Sequence, residues 1–459
     1  MKISDVKSQL NTIEANYKVS SIKVNNFFLW PHLRYFIGKL LTNTAVEKEN
    51  KKKKINRIQR FKNCFYGIFN VFKSYDTIFF STSKERIFQG KKSISKNINE
   101  IYKRYEKALL VEHAFDEMHF DIKTVSERNI VSLTLLEIII NVIKRTKLIK
   151  FKLSGSDVVD SINKKYDKNF DFLSNATNFI VSYHLFKYFL KFKRPKIIYI
   201  TVWYGYGPIV KAAKDLGITT IEIQHGSFDE NHYSYNMENI IDNSHYPEYI
   251  LTYSKEYVNL LNKDVLKNNN IFKAKAIGSY LENIKKNPPL KKNKFKQFKY
   301  IVSMSATINE SKKEYELLEK LSNKLKDVLF IYIPRRENNF QNKKNLFVVE
   351  KLNASNYLPI SDLHITVRST CMFEAAFFGK KTLIFTPFIE TEKIIKTLEK
   401  KLKEYPTLYK FIYSDNDLDS MIRYELDNNI IDNKEVMNQN LYEQDYKKNV
   451  SDFINKISC

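Results

Sequence analysis

Glycine and proline are scarce in this chain, ten of each among 459 residues. So little of either argues against a loop-rich fold and for long helices and regular strands. Cysteine occurs three times, at Cys64, Cys371 and Cys459, far apart and odd in number. That excludes a disulfide framework and fits no zinc-binding spacing, as expected of a chain in a reducing cytoplasm. No uninterrupted apolar run reaches the about 18 residues of a membrane-spanning helix. The opening MKISDVKSQLNTIEANYKVS has no apolar stretch of signal-peptide type, so no cleaved leader is expected.

What is abundant is apolar and aromatic. Hydrophobic residues make up 43% of the chain and aromatics 14%, which excludes intrinsic disorder and supports two or three cored domains. Acidic residues are in deficit, 51 against 76 basic, for a formal charge of +25. An excess of this size suits anionic partners such as nucleic acid, acidic lipid headgroups or phosphorylated substrates. Part of it is a general use of lysine on solvated faces.

Residues 1–74 read as a helical, basic, membrane-proximal segment, with FFLWPHLRYFIGKLL at helical spacing followed by the basic run Lys48–Lys62 and the aromatic FYGIFNVF. A first α/β domain is expected over 75–281. Its clearest part is KIIYITVWYGYG, PIVKAAKDLG and ITTIEIQHG, a strand, a helix closed by glycine and a second strand. Residues 130–153 predict one long helix, and 178–195 another. The hydrophilic stretch 282–297, with Pro288 and Pro289, marks a linker. Strand–helix alternation resumes over 298–414 in KYIVSMSAT, VLFIYIPRR, DLHITVRST and KTLIFTP, and 415–459 reads as terminal helices. Two such halves predict an α/β architecture of two Rossmann-like domains facing a cleft, with extra N- and C-terminal helices.

Four constellations fall at strand ends, where open parallel sheets bind ligands. In Glu222-Ile223-Gln224-His225-Gly226, His225 is either a strand-end histidine bonding a carbonyl or a general base facing a substrate. Asp229 and Glu230 follow as alternative bases, and Gln224, His232 and Tyr233 as acceptor contacts. In Arg368-Ser369-Thr370-Cys371-Met372-Phe373-Glu374, the hydroxyls and the helix start suit a phosphate, and Glu374 a ribose. The competing reading is an ordinary helix cap. Arg335 and Arg336, after Pro334, either hold a diphosphate or pair with Glu337. Ser305 and Thr307 lie in a hydroxyl-rich loop after the first strand of the second half. No Walker loop and no G-x-G-x-x-G fingerprint is present.

The QHG element with its downstream His232 and Tyr233 resembles that of bacterial capsule and lipopolysaccharide glycosyltransferases of the GT-B class. It is also similar to the histidine-glycine element of teichoic acid polymerases. The Ser369-Thr370, Glu374-Ala375 and Gly379 stretch resembles the donor-site motif of bacterial sialyltransferases and capsule Kdo transferases. The N-terminal LWPHLR also looks like a recurrent feature of such chains. The His-Pro pair usual in those families has no counterpart around Pro334, where Arg335 and Arg336 stand instead.

The resemblance implies a metal-independent transferase without a cofactor, in which Ser369, Thr370 and Glu374 hold a CMP-, UDP- or CDP-linked sugar and His225 deprotonates the acceptor. It further implies a lipid-linked or growing surface glycan as acceptor, at the inner face of the cell membrane. The anionic membrane surface would be met by the basic-aromatic stretches 48–73 and 144–153. Competing functions are a CDP-polyol phosphotransferase, a nucleotide-sugar epimerase and a basic nucleic-acid-binding protein; against the last, no nucleic-acid recognition motif is visible.

Overall fold

The computed structural model describes all residues except 1–2, 43–56, 147–148, 230, 236, 238–241, 264–271, 308–310, 336–339, 350–353, 390, 417, 429, 439–440 and 459. The lysine run 51–54, Glu230, Arg336 and Glu337 thus lie outside the described residues. The chain forms two compact units. The first comprises Met1–Lys84, Asn97–Ile277 and Lys447–Cys459; the second comprises Glu85–Lys96 and Gly278–Tyr446.

In the first unit, the helices Ile3–Asn16 and Trp30–Thr42 flank a small hairpin of β1 (Lys23–Val24) and β2 (Phe27–Phe28). A third short strand, β8 (Leu153–Ser154), pairs with β1. The main sheet has seven strands: β3 (Thr77–Thr82), β6 (Ala108–His113), β7 (Ile130–Ser132), β9 (Ile197–Ile200), β10 (Thr219–Ile223), β11 (Tyr249–Thr252) and β12 (Lys273–Ala276). Their order is β12-β11-β10-β9-β3-β6-β7, with every neighbouring pair parallel. The chain builds outward from β3 to β7, returns through the helix Phe172–Lys193, and builds the other way from β9. This is the Rossmann winding, with its switch point between β3 and β9. The central strands are buried on both faces and mostly apolar, as in IIYI of β9 and the Ile-Phe-Phe of β3.

The expected helix over 130–153 begins instead as strand β7. Ile130 and Val131 extend along the free edge of β6, and the helix starts only at Thr134, whose N–H donates to Ser132 Oγ at 3.1 Å. The segment around Gly67, though distant in sequence, is clamped to this edge. Ser132 N–H donates to Tyr66 O at 3.1 Å, and Asn70 Nδ2 donates to Ile130 O at 3.0 Å. Gly67 has φ +66°, and a Cβ there would lie 1.8 Å from the Ile130 carbonyl oxygen. Gly67→Ala is therefore expected to cost more than the about 1 kcal/mol of backbone strain alone. A urea midpoint equal to wild type would show that the segment is not held as described.

The second unit contains strands β13 (Tyr300–Ser305), β14 (Val328–Ile333), β15 (Leu346–Val348), β16 (Leu363–Thr366), β17 (Lys381–Phe385) and β18 (Tyr409–Ile412), all parallel, in the order β15-β14-β13-β16-β17-β18. It repeats the Rossmann winding, and its switch point lies between β13 and β16. Val302, Met304, Phe330, Leu363, Ile365 and Phe385 fill its core. Both units thus have the α/β, Rossmann-like form.

The units are not continuous in sequence. The hairpin β4 (Arg86–Gln89) and β5 (Lys92–Ser95), inside the stretch read as the first domain, packs with the second unit: Asn356 Nδ2 donates to Phe88 O at 3.1 Å, and Tyr280 Oη to Gln89 Oε1 at 2.9 Å. The last helix, Tyr446–Ser458, joins the first unit from Lys447 onward, with Phe453 edge-on to Tyr249 at 5.6 Å. The stretch 282–297 is not bare linker: the helix Leu281–Lys286 buries Leu281 and Ile284.

Candidate functional site

Two groups of polar residues stand at the carboxyl ends of the sheets, one in each unit. In the first unit, β10 ends at Ile223 and the chain turns out through Gln224, His225 and Gly226. Gln224 is buried and builds that turn. Its Oε1 accepts from Tyr253 N–H at 2.8 Å and its Nε2 donates to Gly226 O at 2.9 Å. Gly226 does not need to be glycine for the turn: its φ is not in the left-handed region, and an added Cβ would meet nothing within 4 Å. His225 is half-buried, its ring 6.4 Å from that of Tyr204.

Tyr204, which follows β9, is the hub of an aromatic cluster. Its ring lies 4.6 Å from Tyr35, 5.7 Å from His232 and 6.0 Å from Tyr235. His232 stands 5.9 Å from Tyr233 and 4.9 Å from Tyr235. Burial lowers the pKa of His232 to about 4, with Asp229 only partly opposing it, so at neutral pH this imidazole is uncharged. Burial likewise raises Tyr233 to about 12. Asp229 is exposed, and its Oδ1 accepts from Asn231 N–H at 2.9 Å.

Beneath the cluster lies a carboxyl group not singled out as a site residue above. Glu222 is fully buried in β10; its Oε1 accepts from Tyr235 Oη at 2.7 Å and from Trp203 N–H at 3.3 Å. Burial raises its pKa to about 8, against the lowering effect of these two hydrogen bonds, so it is mostly protonated at neutral pH. The visible signal was a single acid in ITTIEI, a strand otherwise made of isoleucine and threonine.

In the second unit, the switch point brings Ser305 and Thr366 together, with Ser305 Oγ 3.2 Å from Thr366 Oγ1. Ser305 also lies 3.1 Å from His364 Nε2, and Ser303 3.0 Å from His364 Nδ1. Burial drives the pKa of His364 down to about 3, so this is a neutral internal network. Thr307 is tied to Glu314, whose carboxylate accepts from its N–H at 3.0 Å and its hydroxyl at 2.9 Å. Ser305 and Thr307 thus have internal partners and shape the loop beside the switch point.

Behind Thr366 come the donor-motif residues. Ser369 N–H donates to Thr366 Oγ1 at 3.1 Å, and Ser369 Oγ accepts from Cys371 N–H at 3.3 Å, a local turn just ahead of the helix. Thr370 precedes the helix Cys371–Phe377, is exposed, and makes no side-chain cap bond. Glu374 is turned into the protein: Oε2 accepts from Ser355 Oγ at 2.7 Å, and Oε1 pairs with Lys96 Nζ at 3.4 Å. Lys96 follows the β4–β5 hairpin, 278 positions away in sequence. Burial pulls its pKa down, but Glu374 and Glu85 more than offset this and the net shift is upward, so it stays charged. Nothing in the sequence pointed to this lysine. Arg335 is exposed beyond the end of β14.

The sequence matches no protein-family model and no curated protein. Among solved structures, it is similar to the UDP-GlcNAc 2-epimerase of Methanocaldococcus jannaschii in complex with UDP-GlcNAc and UDP, at 9% identity over 83% of this chain and 99% of that one, TM-score 0.47. A putative UDP-N-acetylglucosamine 2-epimerase from Listeria monocytogenes gives 12% identity over 82% and 94%, TM-score 0.46. The glycotransferase of kitacinnamycin gives 10% over 83% and 94%, TM-score 0.42. At this level these likenesses add nothing to what the strand order already establishes, and the functional reading rests on the residues.

Proposed function

We propose that this protein is a glycosyltransferase of the GT-B type, moving a sugar from a nucleotide donor onto a surface-polysaccharide acceptor of the capsule or lipopolysaccharide kind. The observation that supports this most is the position of Ser369, Thr370 and Glu374 directly after the switch point of a Rossmann-wound sheet. Nucleotides bind at such points because strand ends and helix starts there present unpaired N–H groups and short polar side chains. In this reading Ser369 and Thr370 contact donor phosphate, Glu374 a ribose hydroxyl, and Lys96 supplies the cation beside it. Arg335 and Arg336 offset charge on the leaving nucleotide, a task that cationic side chains perform without a metal.

The first unit supplies the base. The imidazole of His225 takes the acceptor hydroxyl proton as oxygen bonds to the anomeric carbon, and the nucleotide leaves with the bonding electron pair. Asp229 and Glu230 are the competing bases; Gln224 holds the turn, and His232 and Tyr233 line the acceptor side. The buried Glu222 acts as a positioning residue, fixing Tyr235 and through it the cluster around Tyr204.

The test is a panel of CMP-, UDP- and CDP-sugars in a thermal-shift assay, followed by product analysis with and without a glycan acceptor. One nucleotide class should raise the melting temperature, and turnover should require the acceptor. Conversion of the donor sugar with no acceptor present would establish an epimerase instead, and release of a polyol phosphate a phosphotransferase. Thr370→Val should weaken nucleotide binding by about tenfold, the worth of one hydrogen bond to a charged group, and leave the melting temperature of the free protein unchanged. Undiminished affinity would remove Thr370 from the donor site.

A further inference from the structure

Several large apolar residues of the first unit stand exposed on the helix Arg57–Cys64, the turn Ile68–Phe72 and the end of the helix Phe172–Lys193. Ile58 is 71% exposed, Phe61 64%, Phe65 59%, Phe69 82% and Phe72 77%. Phe192, 70% exposed, continues the patch, because the next residue, Lys193, donates through Nζ to Lys73 O at 2.7 Å and also to Val71 O. This exposure does not come from a loose segment. The backbone around Gly67 is fastened to the edge strand β7 by Tyr66 and Asn70, and Tyr75 Oη donates to Asn70 O at 3.0 Å. The rings are therefore held outward by a fixed backbone. Exposed aromatics on this scale mark an interaction surface rather than ordinary surface scatter.

The charge of the patch identifies the partner. Residues 57–74 contain Arg57, Arg60, Lys62 and Lys73 and no acid, and residues 172–196 contain Lys187, Lys191, Lys193, Arg194 and Lys196 and no acid. A protein interface would be expected to exclude lysines from its centre. Aromatic rings interleaved with cations on short helices fit the headgroup region of an anionic bilayer, where rings enter the acyl boundary and cations meet lipid phosphates. Among the described residues no helix is long and apolar enough to cross a membrane, so the contact is interfacial.

We propose that this face is a membrane-docking surface for anionic lipid, in which Phe69 and Phe72 insert while the flanking cations hold the headgroups. The proposal does not rest on the transferase reading. It differs from attraction through the lysine-rich run alone, since insertion survives salt.

The test is co-sedimentation of the full chain with phosphatidylcholine vesicles with and without phosphatidylglycerol. Wild type should bind the anionic vesicles and keep a measurable fraction bound at about 0.5 M salt, where the Debye length is well under about 8 Å. Phe69→Ser/Phe72→Ser should lose that salt-resistant fraction, with affinity down at least about tenfold. Its melting temperature should be unchanged, because neither ring is packed. Ile430→Ser, at a residue 76% exposed in the second unit, should bind as wild type. In Phe69→Trp, vesicles should shift the emission to the blue; the native Trp30 and Trp203 are already buried. Absence of binding to anionic vesicles overturns the proposal, as does a double variant that still resists salt. So does a stable dimer that dissociates in the double variant while wild type ignores vesicles.

Discussion

His225→Ala is expected to lower turnover by about 10²–10⁴, the usual worth of a positioned general base, while nucleotide affinity and melting temperature stay close to wild type. An acceptor hydroxyl is a weak nucleophile at neutral pH, so its proton must leave as the glycosidic bond forms. Imidazole, with an ordinary pKa of about 6.5, can take it. His225 lies in the turn just past the end of the parallel strand β10 and is half-buried beside Tyr204. Its neighbour His232 is the poorer candidate, since burial holds its pKa near about 4. His225→Asn should be no better than alanine, because an amide cannot accept the proton. An Asp229→Asn or Glu230→Gln variant that is dead while His225→Ala retains most activity would transfer the role to that carboxylate. An inactive His225→Ala that has also lost several degrees of melting temperature would show the histidine to be structural.

The second large effect concerns stability. Arg34→Ala should destabilise the first unit by about 3–5 kcal/mol, the range for removing one partner of a buried ion pair. Arg34 Nε donates to Glu14 Oε1 at 2.6 Å, with the side chains 3% and 0% exposed. Trp30 Nε1 donates to the same oxygen at 2.9 Å, Arg34 Nη2 to Asn11 Oδ1 at 3.3 Å, and Nη1 to the Tyr233 carbonyl. One guanidinium thus joins the helices Ile3–Asn16 and Trp30–Thr42 to the loop that carries His232. Without it Glu14 is a buried carboxylate without its counter-ion. Glu14→Gln/Arg34→Met should recover much of the loss, as no charge then remains buried. Urea unfolding of the two variants decides this; an Arg34→Ala protein within about 0.5 kcal/mol of wild type, the scatter of an ordinary surface change, would mean the pair is dispensable.

The α/β character of both halves was legible, and for a definite reason. Runs such as IIYITV and VLFIYI are rich in β-branched and apolar residues on both faces, as a covered parallel strand favours. The places of His225 after ITTIEI and of Ser369 after DLHITV follow from where those runs stop. Ile130 and Val131 were misread as helical because an apolar stretch running on into a helix has no period of its own to mark the change. FYGIFNVF was read correctly as aromatic beside basic residues, yet composition could not show that its backbone is pinned to β7 while Phe65, Phe69 and Phe72 face outward.

The amino-acid sequence alone determined the α/β alternation of the central strands and helices, and which strand ends carry hydroxyl, carboxylate and imidazole groups, because these depend on neighbours within a few residues. Only the tertiary structure decided the strand order that puts Ser305 beside Thr366, the burial that keeps Glu222 mostly protonated, and the pairing of Lys96 with Glu374. Those depend on contacts between positions tens to hundreds of residues apart. Residue periodicity reports that a face is covered, but not what covers it.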